Sequence, residues 1–113
     1  MQIDEFIKIV ESQAKMIPES DVYFALKKMK VRYITKSQIQ VIRLFIALRK
    51  LGFNFVPVDL ITLLLNREPN SVRDILHRLG DKHVIVLLRE SHRQYRYCLS
   101  SQFLQHLPPS LNI

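Results

Sequence analysis

The sequence predicts a mainly α-helical domain closed by a small β-hairpin. Along most of the first 80 positions apolar residues recur at steps of three and four, the pattern of helices with one buried face. Two later segments, 83–89 and 94–100, are strand-like, the first a β-branched run and the second alternating, with only Glu90-Ser91-His92-Arg93 between them. A length of 113 residues fits one domain, and 48% apolar with 24% charged residues fits a chain that folds. Lys and Arg number 17 against 10 Asp and Glu, a net charge of +7 that attracts polyanions. Nucleic acid is therefore the first partner class to weigh.

The first helix is expected from Ile3 to Met16, its stripe formed by Ile3, Phe6, Ile7, Val10, Ala14 and Ile17, with Pro18 ending it. A second runs from an N-cap at Ser20 through Val22, Ala25, Leu26 and Met29 to Tyr33, completing a helical hairpin over about residues 3–33. A third, capped by Ser37 and ended by Gly52, is apolar in nearly every direction from Ile39 to Leu51 and so expects burial on more than one side. Phe53 to Pro57 alternates as a brief strand or extended connector, and Val58 to Leu65 is a fourth helix stopped at Asn66.

Arg67-Glu68-Pro69 reads as a turn, with Asn70 capping a fifth helix whose buried stripe is Val72, Ile75, Leu76 and Leu79 and whose end lies near Gly80. The hairpin follows, and its lack of glycine favours a loop built on a type I turn over a two-residue turn. Ser100 to Leu107 is a last short helix before Pro108-Pro109. Three parts are expected: an N-terminal helical hairpin over 1–34, a main domain over 35–107, and a mobile tail over 108–113.

Helix, extended piece, helix, turn, helix and hairpin, over Ser37 to Ser100, is the element order of a winged helix-turn-helix domain. The stretch Asn70-Ser71-Val72-Arg73-Asp74-Ile75-Leu76-His77-Arg78-Leu79-Gly80-Asp81-Lys82-His83-Val84-Ile85 resembles the recognition helix and first wing strand of MarR- and ArsR-like transcriptional regulators. Glu90 to Ser100 is similar to their wing, a charged tip leading into Tyr95-x-Tyr97-x-Leu99-Ser100. Three positions depart from the pattern: Asn66 and His83 stand where glycine is usual, and Arg67 where an apolar residue is usual.

The resemblance implies sequence-specific binding of double-stranded DNA by a dimeric transcriptional regulator. Base contacts are then expected from Asn70, Ser71, Arg73, Asp74 and His77, since the first turns of a recognition helix reach deepest into the major groove and Arg or Asn pairs with G or A through two hydrogen bonds. Backbone and wing contacts fall to Arg78, Lys82, Arg89, His92, Arg93 and Arg96, with the tip at 91–93 toward the adjacent minor groove. The region Arg67–Tyr97 holds seven cations and four anions, net +3, whereas the first 34 residues hold six and five, net +1. This reading requires the cations after residue 66 to be gathered on a common side. The N-terminal helices would either pair two copies into a homodimer or cover the third helix.

A winged domain serving as a protein-interaction module is the alternative, suggested by the apolar run Leu60-Ile61-Thr62-Leu63-Leu64-Leu65. Tyr95 and Tyr97 either pack on the helices or stack on unpaired bases. Cys98 is alone, the histidines at 77, 83, 92 and 106 have no helical pairing, and neither a phosphate loop nor a catalytic constellation occurs. A non-enzyme without cofactor or metal is expected. The acidic start Met1-Gln2-Ile3-Asp4-Glu5 is unlike a signal peptide and the longest apolar run is short of a membrane span, so the expected setting is the cytoplasm, in association with the nucleoid.

Overall fold

The computed structural model describes residues 2–91 and 94–111. Three helices open the chain: α1 (Ile3–Lys15), α2 (Glu19–Lys28) and α3 (Lys36–Lys50). After them come β1 (Val56–Pro57), α4 (Val58–Leu65), α5 (Pro69–Asp81), β2 (Ile85–Ser91), β3 (Gln94–Leu99) and a single turn, α6 (Ser101–Leu104). The result is a mainly helical domain with a three-stranded antiparallel sheet in the order β1-β3-β2. No helix among the described residues is long and apolar enough to cross a membrane.

The third helix is the centre, as its all-round apolarity requires. Ile39, Val41, Ile42, Leu44, Phe45, Ile46, Ala47 and Leu48 are all buried, and α1, α2, α5 and β3 pack around them. Thr35 caps α3, in place of the expected Ser37: its hydroxyl accepts the Gln38 N–H at 3.1 Å while the Gln38 side-chain oxygen accepts the Thr35 N–H at 3.3 Å. This reciprocal pair satisfies two N–H groups that the helix itself leaves without partners.

Three helices finish in the same way. In α2, α3 and α5 the residue after the C-cap takes a left-handed conformation, at Lys30 (φ 63°), Gly52 (φ 98°) and His83 (φ 61°). The next N–H then reaches back to the third residue from the end: Val31 to Leu26, Phe53 to Leu48 and Val84 to Leu79. Lys30 therefore ends α2 five residues before the expected limit at Tyr33, which lies outside the helix and is 83% exposed. Nor does Ser20 cap that helix; Pro18 precedes its first turn. His83, where the resembled pattern has glycine, adopts the glycine-type conformation, so α5 runs through Gly80 to Asp81. Asn66, the other such position, is also left-handed and ends α4.

Asn70 is not the cap of α5. Pro69 opens the helix, where a missing N–H is harmless, and Glu68 is the cap residue. The hairpin ladder runs out to Ser91↔Gln94 with a register shift after Arg89, so its connection is shorter than the four residues expected. The last helix is one turn capped by the Ser100 hydroxyl, which accepts the Phe103 N–H at 3.0 Å. Leu111, assigned to a tail by the sequence, is buried against the core instead.

Candidate nucleic-acid interface

One residue every 100° around α5 fixes which side chains reach solvent. Val72, Ile75, Leu76 and Leu79 form the buried stripe. Asn70, Ser71, Arg73, Asp74, His77, Arg78 and Asp81 occupy the exposed arc. All five expected base-contact residues are therefore solvent-accessible, although they are not equivalent. Asn70, Asp74, His77 and Asp81 lie near the middle of the arc, and Arg73 and Arg78 lie about 140° apart at its two margins.

The cations are thus divided, where the sequence reading required them to be gathered. At the first margin, Arg78 Nε donates to Asp74 Oδ2 at 3.0 Å, an exposed pair one turn apart. Lys82 follows on the same side, and its Nζ donates to the Gln38 side-chain oxygen of α3 at 2.7 Å. Partial burial, and then the nearby charge of Arg78, pull the Lys82 ammonium below its ordinary pKa. Both backbone candidates on this flank already have intramolecular partners. Arg67 is likewise held, by donation to the Ser37 hydroxyl at 3.1 Å, and does not tuck under the helices as an apolar residue would.

At the opposite margin Arg73 and His77 look across a groove of about 750 Å3 toward the sheet. The groove has a simple origin. Pairing of Val56 with Tyr97 and of Pro57 with Arg96 ties the middle of β3 to β1, while the β2–β3 ribbon stays paired out to Ser91↔Gln94. Register places Leu87, Tyr95 and Tyr97 on one face of that ribbon, the face that carries the buried Ile85 and Leu99 at its root. Beyond the root the same face is no longer covered: Leu87 is 48% and Tyr95 41% exposed. Phe55, 50% exposed, adds a further aromatic ring from the segment before β1.

Arg73 brings positive charge to this groove, which Arg96 and His77 also line, with Asp59 as an acidic lining residue. Burial raises the Tyr97 hydroxyl above its usual pKa, the Arg73 charge opposes that rise and Tyr95 adds to it. Arg73 and Tyr95 are therefore each near enough to influence Tyr97. Arg89 stands over the Tyr95 ring, 5.8 Å from its centroid. His77 Nε2 lies 3.6 Å from Asp81 Oδ2. His92 and Arg93, assigned to the wing tip by the sequence, fall outside the described residues.

Sequence reasoning did not find Phe55 or Leu87 as parts of this surface, nor Gln38 as the buried partner of Lys82. The alternation of Phe53-Asn54-Phe55 gave a weak sign of the first, but its neighbour on β3 is about 40 positions away in the chain. The α4 helix, whose apolarity suggested a protein partner, buries Ile61 and Leu64, packs Leu60 and Leu65 partly on the core, and leaves Leu63 43% exposed. Comparison with protein-family models, curated proteins and solved structures gives no match.

Proposed function

We propose that this protein is a winged helix-turn-helix binder of double-stranded DNA, with α5 as its recognition helix and the β2–β3 ribbon as its wing. The observation that carries the reading is the exposed arc of α5, lined by hydrogen-bonding side chains and bordered on both sides by cations. A helix lying in the major groove has a phosphate strand along each margin, so cations on both margins can still serve a duplex, in place of the common side that the sequence led one to expect. The order α3, β1, α4, α5, β2, β3 and the strand order β1-β3-β2 support it, as does the net +7 of the chain.

In this reading Asn70, Ser71, Arg73, Asp74 and His77 face base edges, and Arg78, Lys82, Arg89 and Arg96, with His92 and Arg93, attend the backbone. Asp74 and Asp81 sit where cytosine amino groups or waters would meet them, since a carboxylate facing phosphate is repelled. Regulation of transcription by a homodimer is part of the proposal. Ile9 and Met16 of the α1 segment and Tyr23 and Phe24 of α2 are exposed apolar side chains for such contact. With principal extents of 36 × 30 × 23 Å, two copies side by side repeat at close to the roughly 34 Å of one helical turn of DNA.

Selection of bound sequences from random duplexes tests the reading. A shared motif with twofold symmetry and an affinity that falls steeply with salt is the expected result. Absence of enrichment, together with duplex dissociation constants in the millimolar range at physiological salt, would sink it. A protein-interaction module would then stand in its place, favoured by the exposed Phe53, which meets Phe6 edge to face at 5.5 Å beside exposed Leu51.

A further inference from the structure

We propose that the groove between α5 and the β2–β3 ribbon receives an unpaired nucleotide, so that the preferred target is a duplex bordered by a single strand. The inference rests on the double-stranded DNA reading and adds to it a second kind of contact. Arg73, on the groove side of α5, belongs both to the surface offered to the duplex and to the wall of the groove.

A plain duplex would bring only its outer strand to this groove. Its backbone offers phosphates and sugars, which Arg73 and Arg96 suit, but it gives no cover to Phe55, Leu87 and Tyr95, each between two-fifths and one-half exposed. Large apolar side chains exposed together beside cations need an occupant with an apolar surface and a negative charge. A nucleotide outside a base pair has both, a planar ring for the aromatic side chains and a phosphate for the guanidinium groups. At about 750 Å3 the groove is within the range of sites that hold small organic ligands. Its lining joins the aromatic Phe55, Tyr95 and Tyr97 to Arg73 and Arg96, with Asp59 as an acidic member. Phe55 and Tyr95 supply stacking surface without being part of the buried core.

Fluorescence anisotropy on one selected duplex tests this, the duplex being blunt or carrying a five-nucleotide 3′ or 5′ tail with 2-aminopurine at the first unpaired position. One tailed form is expected to bind about tenfold tighter than the blunt form, in line with one stacked base, and its 2-aminopurine emission to be quenched. Tyr95→Ala and Phe55→Ala, both at exposed positions, are expected to remove most of that advantage while blunt-duplex affinity stays within about twofold and the unfolding midpoint is retained. Equal affinity for blunt and tailed duplexes overturns the groove inference and leaves the double-strand reading intact. Failure to bind any duplex overturns both. Displacement of neither tail, but saturable binding of an acidic, aromatic-rich peptide that Tyr95→Ala abolishes, overturns the nucleotide assignment in favour of a protein segment.

Discussion

Along one margin of α5 the cations are engaged within the molecule: Arg78 holds Asp74, and Lys82 holds Gln38 of the central helix. Along the other, Arg73 makes no ion pair among the described residues and faces aromatic rings across an open groove. Lys82 ties the end of α5 to α3, the Arg78–Asp74 pair stays within α5, and Arg73 lines the groove. Net charge therefore says less about which cations are available than the partners of each one do. Lys82 makes the point, because the same burial that lowers its pKa also lets it join two helices through one amide oxygen.

The largest effect should come from removing what both margins share. Leu76 is fully buried on the stripe of α5, so Leu76→Ala is expected to lose roughly 2–5 kcal/mol in denaturant titration and to impair both flanks together. A loss much below that range would mean that α5 is seated by its charged contacts more than by its core. Next in size is the contrast between the flanks on a selected duplex. Arg73→Ala should weaken binding by about 1–3 kcal/mol and relax preference at one base position. Arg78→Ala, which gives up an arginine already paired with Asp74, should cost less, change affinity evenly across sequences and lower the salt slope by about one unit. Equal losses with equal salt slopes would erase the distinction drawn here.

A smaller effect concerns the end of the helix. A non-glycine residue in the left-handed region carries a cost of about 1–2 kcal/mol, part of which glycine returns as extra freedom of the unfolded chain. His83→Gly should therefore raise stability by about 0.5–1 kcal/mol, read as a higher unfolding midpoint. The smallest effect is alkaline. Burial raises Cys98 above its ordinary 9.0, opposed by the charge of Arg49, and raises Tyr97 above its ordinary 10.0. In both cases the unfolded chain gives up its proton first. Their contribution is complete below about pH 9 and shrinks as pH rises through the folded-state values. Stability measured from pH 8.5 to 11 should fall less steeply in Cys98→Ala/Tyr97→Phe than in the parent chain.

Much of the architecture was legible because it is written locally. The stripe Val72, Ile75, Leu76, Leu79 announces both the helix and the arc it leaves exposed, so the expected base-contact residues fall together on solvent. Asn66 and Gly52 mark helix ends by their own conformational tolerance. Local tolerance does not foresee Lys30 or His83, where the tertiary fold imposes a left-handed residue that side-chain chemistry disfavours. Thr35 and Ser37 are both competent caps by residue type, and only the reciprocal bond with Gln38 chooses between them. The groove was hidden for a different reason. Its walls come from residues near 55, 73, 87 and 95, and nothing short of the Val56↔Tyr97 register brings them face to face.

That register also has a mechanical side. Two paired residues in β1 clasp the middle strand at Tyr97 and Arg96, and beyond them the ribbon is a cantilever of two strands with no third to stiffen it. Tilting of the ribbon about that clasp would change the width of the space in front of Arg73, because Leu87 and Tyr95 line the same groove as Arg73.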